Sequence, residues 1–432
     1  MSALDRDTVA AISRTAKEPA WLVNLREEAW AQHEQLPWPT SSDEIWRRTN
    51  VSLINPHEGF TLANGPGLLQ RVSLREEQLA AATQPLADER VLVHADGSWV
   101  SGDAPPGVRL SDLSSLTDAQ SARIRQAIAA NGLSPEERKF TSMTTALHRH
   151  GVVLEIADGA EVGTIRLVRL TSTQPKTAVF PLTVIAVGRG GRATIIEEEI
   201  GVGAEAAPQV ITGRIELLIE PSATVQYCRV QRWQPQAREF LLQRATLQEG
   251  AQLTMANINF GAAVSKTHVI AKLLGPQASS RVFGFVFGRG QQHIDFHSLQ
   301  DHQSPRTTSD LLYKAALKDQ SRTIYTGLIR IAKAANQTDA YQANHNLLLS
   351  QQAKAESIPM LEILADDVRC KHGATVGQVD EEQLFYLMAR AVPRELAERL
   401  LVMGFVEPVI GEVPFEPLRQ HLREELEGSL TA

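Results

Sequence analysis

A small residue recurs at one place in a run of β-rich segments, and this limits the possible folds of the chain more than any other feature. Ala160, Ala193, Ala223, Ala251 and Ser279 each follow a turn of Gly, Pro or charged residues and precede an alternating apolar run; they lie 33, 30, 28 and 28 residues apart. The runs cover 179–187, 193–200, 213–219, 224–230, 240–247, 253–260, 268–274 and 281–287. Period-two alternation rich in Val, Ile, Thr and Phe reads as strands. Strands at a steady period fit a β-solenoid, whose coils stack and share one core. A large β-sandwich with evenly spaced turns fits the same pattern. In the solenoid reading, a flank is a rigid strand-lined surface with open edges, suited to strand pairing with a similar partner.

The expected architecture is mainly β: a β-helix core over 146–378, between a helical and mixed region at 1–145 and a helical domain at 379–432. Asp5 to Ala16 and Glu18 to Gln35 carry apolar residues at helical spacing, and Pro37 and Pro39 close the second. A short helix is expected around Glu44 to Arg48. Val91–His94 and Ser98–Val100 flank Asp96-Gly97, a favoured hairpin turn. Ser111 to Asn131 reads as one helix stopped by Gly132. Near the end, Asp380 caps a helix over Glu381–Ala391. Pro393 starts another that Gly404 stops at Met403, and Pro417–Leu426 is the last.

Several function classes are disfavoured. A net charge of −7 with no Lys/Arg run argues against nucleic acid. The only cysteines are Cys228 and Cys370, with no CxxC, which excludes a classical zinc site or an all-cysteine cluster within the chain. So few thiols fit a reducing, cytoplasmic setting. The opening residues do not read as a signal peptide, and no apolar run is long enough to span a membrane. A phosphate-binding loop, GxSxG and HExxH are all missing, and Gly188-Arg-Gly-Gly191 has the wrong spacing for a dinucleotide fingerprint. No enzymatic activity is expected. The remaining enzyme alternative is a β-helix acting on polysaccharides, and 5% aromatic content offers it few sugar-stacking platforms.

Two clusters can carry chemistry. In Asp366-Asp-Val-Arg-Cys-Lys-His-Gly373, a strand puts Cys370 and His372 on one face, a thiolate and imidazole pair suited to iron. Arg369 and Lys371 are expected to favour the thiolate. Two ligands are half of what a cluster needs, so a second chain must complete the set; a structural Cys beside a hydrogen-bonding His fits the same spacing. In His293-Ile-Asp-Phe-His297, followed by Asp301 and His302, a strand aligns His293, Asp295 and His297 as an N/O/N set for a divalent metal. A polar solenoid face with hydrogen-bonded histidines is the alternative. Cys228 reads as a small buried hydrophobe, and His345 and Glu197-Glu-Glu199 as solvated positions.

The stretch Ile363 to Gln378, followed by Asp380-Glu-Glu-Gln-Leu-Phe-Tyr-Leu-Met-Ala-Arg390, resembles the carboxy-terminal signature of the SufB/SufD family of iron–sulfur cluster assembly. Asp310-Leu-Leu-Tyr-Lys314, Gly327-Leu-Ile-Arg-Ile331, Ala343-Asn-His-Asn-Leu-Leu-Leu349, Glu18-Pro-Ala-Trp-Leu22 and Trp46-Arg-Arg-Thr-Asn50 fit the same family. The likeness is weak between about 55 and 145. Gly373-Ala-Thr, where SufB would carry Glu-Ala-Thr, places the chain nearer the SufD branch. The resemblance implies a right-handed parallel β-helix that pairs with a SufB-type paralogue through its flank, with a SufC-type ATPase docked on the carboxy-terminal helical domain. It implies no tightly bound cofactor. A transient iron or nascent cluster is shared with SufB, His372 being the matching SufD histidine and Cys370 the cysteine beside it, and the SufD branch is also linked to iron supply. A SufB-like homodimeric scaffold is the alternative within the family.

Overall fold

The alternating runs become two parallel sheets wound from a single chain. The computed structural model describes residues 4–63, 84–129, 132–149, 151–203 and 208–431; Asn131 and the 64–83 part of the connecting region therefore lie outside the described residues. The strands are β1 (Thr61–Leu62), β2 (Glu89–Ala95), β3 (Ser98–Ser101), β4 (Val108–Asp112), β5 (Val152–Ile156), β6 (Glu161–Thr173), β7 (Thr177–Val179), β8 (Leu182–Val187), β9 (Arg192–Gly203), β10 (Gln209–Ile219), β11 (Thr224–Arg232), β12 (Ala237–Leu247), β13 (Gln252–Asn259), β14 (Val264–Leu273), β15 (Ser279–Gly288), β16 (His293–His302), β17 (Thr308–Leu317), β18 (Arg322–Ile331), β19 (Thr338–Leu348), β20 (Lys354–Ile363) and β21 (Val368–Gln378). From β8 onward each strand pairs in parallel with the strand two places along, so the chain alternates between an 11-stranded and a 10-stranded sheet. A sandwich would pair neighbours antiparallel; the fold is the β-solenoid.

The coil corners explain the repeat. Gly159, Gly190, Ser222, Gly250, Gln277, Arg306 and Gln337 all adopt left-handed backbone, φ between 58° and 66°. Each amide from Gly159 to Gln337 bonds to a carbonyl of the next coil's corner, as Ser222 N–H does to Glu249 O at 2.8 Å. From the corner at Gly190 onward the residue after each corner is sealed against its neighbours, which is why Ala223, Ala251 and Ala278 are fully buried. The ladders pair Gln252 with Ser279 and Thr224 with Arg192. The true equivalents of Ala223 are therefore Gly191 and Ala278, not Ala193 and Ser279 as spacing indicated. Small residues on either side of a corner look alike in sequence.

Tyr313 fills the lumen where the preceding coil has Gly284 in the same column, and Tyr325 where Gly327 follows it on the same strand. A Cβ on Gly284 would run into the Tyr313 ring, and one on Gly327 into the Tyr325 hydroxyl. Gly284→Val is expected to cost about 1–3 kcal/mol by overpacking. Because the clash is with one ring, adding Tyr313→Leu should recover part of the loss. Denaturant midpoints of the single and double variants check both points.

Helices cover the outer faces. They are α1 (Arg6–Ala16), α2 (Ala20–Gln35), α3 (Asp118–Ile128), α4 (Pro135–Leu147), α5 (Glu381–Met388), α6 (Arg394–Ile410) and α7 (Glu416–Thr431). On the 11-stranded sheet, Trp46 stacks on Phe140 at 5.0 Å, and Phe140 on Phe240 at 4.2 Å. Fully buried Lys266 lies 4.8 Å over the Trp46 ring and donates to Asp295 and the Ile45 carbonyl. On the 10-stranded sheet, Val402, Val406, Val409, Leu418, Leu422 and Leu426 pack on Cys228, Ile258, Phe283 and Phe285. Among the described residues no helix is long and apolar enough to cross a membrane.

The local expectations fare unevenly. The Asp96-Gly97 hairpin is present between β2 and β3, and Asp380 caps α5 as expected; Asp5, not singled out as a cap, caps α1. Instead of one helix over Ser111–Asn131, β4 and a 3₁₀ turn at Leu113–Ser115 precede the shorter α3, because Val108–Asp112 pairs antiparallel with β5. α4 is an additional helix, begun by a Ser134/Glu137 capping box with Pro135 at its first position. Gly404 does not stop α6, which runs on through Pro408 to Ile410. Its buried apolar face outweighs the roughly 1 kcal/mol that an interior glycine costs.

Candidate functional site at the open end of the solenoid

β21 pairs with β19 on one side and is the outermost strand of its sheet. The register sets Cys370 beside Ala340 and His372 beside Gln342. Ala340 and Gln342 are buried lumen residues, so Cys370 and His372 project from that same face, two residues or about 7 Å apart along the strand. No further coil covers them. His372 is exposed and Cys370 is half-buried, packed against Ile329, Ile331, Ala335 and Ala365.

The expectation that Arg369 and Lys371 promote the thiolate is overturned. They alternate to the other face, beside Asp339 and Tyr341. The Cys370 thiol is instead raised above its ordinary range, first by burial and then by the nearby Asp339 carboxylate. A soft metal would have to displace its proton on binding.

The flank carries no open edge, contrary to expectation, because every middle strand is hydrogen-bonded on both sides. At the carboxy-terminal end the bare edges are those of the last coil, β20 and β21. Leu361, Ile363 and Val376 continue lumen columns there and stand exposed for lack of a following coil.

A thiol and an imidazole at the mouth of a parallel solenoid can now be set beside known proteins. Residues 168–405, more than half of the chain, match the family model described as "SUF system FeS cluster assembly, SufBD core domain". The chain belongs to the SufBD family. It is 27% identical to the iron–sulfur cluster assembly protein SufD of Bacillus subtilis over 429 residues, 97% of this chain and 96% of that protein. It is also 27% identical to an iron–sulfur cluster assembly SufBD family protein of Mycobacterium leprae, covering 91% of each. One from Staphylococcus saprophyticus is 22% identical, over 99% of this chain and 94% of the relative. The chain's general role is therefore in iron–sulfur cluster assembly by the SUF system.

The second cluster of this SufBD chain lies on the outer face of the other sheet, beneath the amino-terminal segment. Asp295 Oδ2 accepts from Lys266 at 2.6 Å and from Thr49, and its Oδ1 lies 3.0 Å from His297 Nε2. His293 Nε2 lies 2.8 Å from Thr49 Oγ1. Burial, with Lys266 next, pulls His297 down to about 3. Asp301 accepts from Gln303, and His302 turns into the lumen to Thr307 and Ser309. Among the described residues no three His, Cys, Asp or Glu side chains form a metal-holding group. The hydrogen-bonded polar face describes this cluster, which ties the amino-terminal segment to the sheet.

Contrary to the expectation of solvated positions, Glu197, Glu198 and Glu199 are buried. Glu197 and Glu199 point into the lumen beside Arg169 and Arg229, while Glu198 faces outward to Arg166 and Arg232. The legible signal was a pair of arginines one coil before and one coil after a glutamate run. His345 is half-buried and lies 2.7 Å from Thr375 Oγ1. Cys228 is fully buried, and burial pushes its thiol up. On the carboxy-terminal helices, Phe385 and Tyr386 are 73% and 57% exposed, next to exposed Met388, Leu396 and Leu400. That apolar group had not been singled out from the sequence.

Proposed function

We propose that this chain is a SufD-type subunit, a scaffold without catalytic activity of its own. It pairs through its last coil with a SufB-type paralogue and contributes Cys370 and His372 to iron acquisition and to a nascent cluster shared across the interface. The observation that carries this reading is the lumen-facing Cys370 and His372 on an edge strand with no coil beyond it. Two ligands on an unpaired edge call for a partner that supplies both the remaining ligands and the missing strand contacts. The exposed Phe385, Tyr386, Met388, Leu396 and Leu400 fit the docking of a SufC-type ATPase, since contiguous apolar patches mark interaction sites. Dimerisation of that ATPase on ATP would draw the two docking platforms together and strain the last-coil interface, because packed solenoids move as units.

Separate variants test the two contacts. Ile363→Asp places a charge in the last coil, and Phe385→Asp does so in the helical patch. In co-expression with the paralogue and the ATPase, Ile363→Asp is expected to lose most of the paralogue while keeping the ATPase, and Phe385→Asp the reverse. Both should melt within a few degrees of wild type, since both positions are exposed in the isolated chain. Retention of both partners by both variants would reject the arrangement.

A further inference from the structure

The middle coils of the lumen carry polar atoms that meet nothing in the protein. These are both amide atoms of Gln243, both amide atoms of Gln300, and the hydroxyl of Thr267. All three side chains are fully buried. Gln243 alternates along its strand with core residues Leu241 and Ala245. Thr267 sits in the ladder between Leu241 and Phe296, and Gln300 between Ala271 and Ile329. They therefore belong to lumen columns, not to the faces covered by helices.

Buried polar groups are nearly always paired with protein or with ordered water. Rotating either carboxamide only exchanges two unpaired atoms. In its column Gln300 follows Ala245 and Ala271, which carry only a methyl group and no polar side-chain atom for its amide to meet. An occupant there must donate to a carbonyl oxygen and accept from an NH₂ group. It must also be small and uncharged, because the ionisable lumen residues Glu197, Glu199, Arg229 and Glu239 already bond one another or their neighbours. Water meets each requirement, and two to four polar partners are what a buried water needs.

We infer that the solenoid lumen holds ordered water bound to the side chains of Gln243, Thr267 and Gln300, so that its middle coils form a hydrated row instead of a dry core. This holds whatever the last coil binds. Hydration lets a polar side chain sit inside a coil without a protein partner, which a close-packed parallel stack otherwise forbids.

The test is electron density in a crystal structure of the unmodified chain at a resolution that shows water, together with the melting of Gln243→Leu and Gln300→Leu. Water within 3.2 Å of both amides is expected, with each leucine variant melting about 1–3 °C lower through loss of those bonds. Amides rotated onto protein partners with no water beside them would overturn the inference. So would density that is dry at both amides, and that reading of the unmodified chain stands even if a leucine variant fails to fold.

Discussion

Replacing His372 by alanine in the assembled complex is expected to cut cluster formation by about tenfold or more while leaving assembly intact. The magnitude follows from ligation chemistry: changing a group that merely supports a metal ligand costs about 10–100-fold, and a ligand should cost no less. Assembly should survive because His372 is exposed on the outermost strand and holds up no core. Cys370→Ser should behave differently. Cys370 packs against Ile329, Ile331 and Ala365, so a serine there exchanges a soft ligand for a hard one and places a hydroxyl on an apolar surface. Some loss of stability is expected with it. The measurements are cluster absorbance after anaerobic reconstitution with iron and sulfide, and the mass of the complex on a sizing column. Unchanged reconstitution by His372→Ala in an intact complex would reject the assigned role.

The period-two runs made the solenoid legible, because each strand is buried on two faces and each coil must turn at the same place. The shared face of Cys370 and His372 was legible for the same reason, since alternation along a strand is fixed by the backbone. What spacing could not supply was the neighbour in the next coil. Arg229 opposite Glu197 and Lys266 opposite Asp295 are ladder partners some 30 residues away, and Asp339 reaches Cys370 from the position next to its ladder partner Ala340. Each changes the chemistry of the group it faces. Reading Glu197–Glu199 as solvated and Arg369 and Lys371 as activating are both errors of treating a strand without its ladder. The continuation of α6 past Gly404 is a similar case: tertiary burial on Phe283 and Phe285 decides it, and a local stop signal does not.

Arg229→Leu is expected to destabilise the chain by about 3–5 kcal/mol, the usual cost of removing one partner of a buried ion pair. Its guanidinium bonds Glu199 at 2.6 Å and also Glu239, which further accepts from Trp233 Nε1 at 2.7 Å. Glu197 is held by Tyr227 and Thr183, both at 2.8 Å, with Arg169 at 3.4 Å. Three carboxyl groups thus share two guanidiniums, and one proton relieves the excess. Glu199 is the group that takes it: burial raises it to about 7, Arg229 pulling back and Glu239 pushing further. An acid whose folded value stands above its unfolded 4.5 lends stability that is complete below pH 4.5 and lost as pH climbs through 7. Without Arg229, two carboxyls are left with nothing to oppose them, so the deficit of the leucine variant should be larger at pH 8 than at pH 5, where protonation neutralises them. Denaturant midpoints of wild type and variant at both values measure this. Equal deficits at the two values would mean that the lumen carboxyls do not titrate in this window and that the proton is held elsewhere.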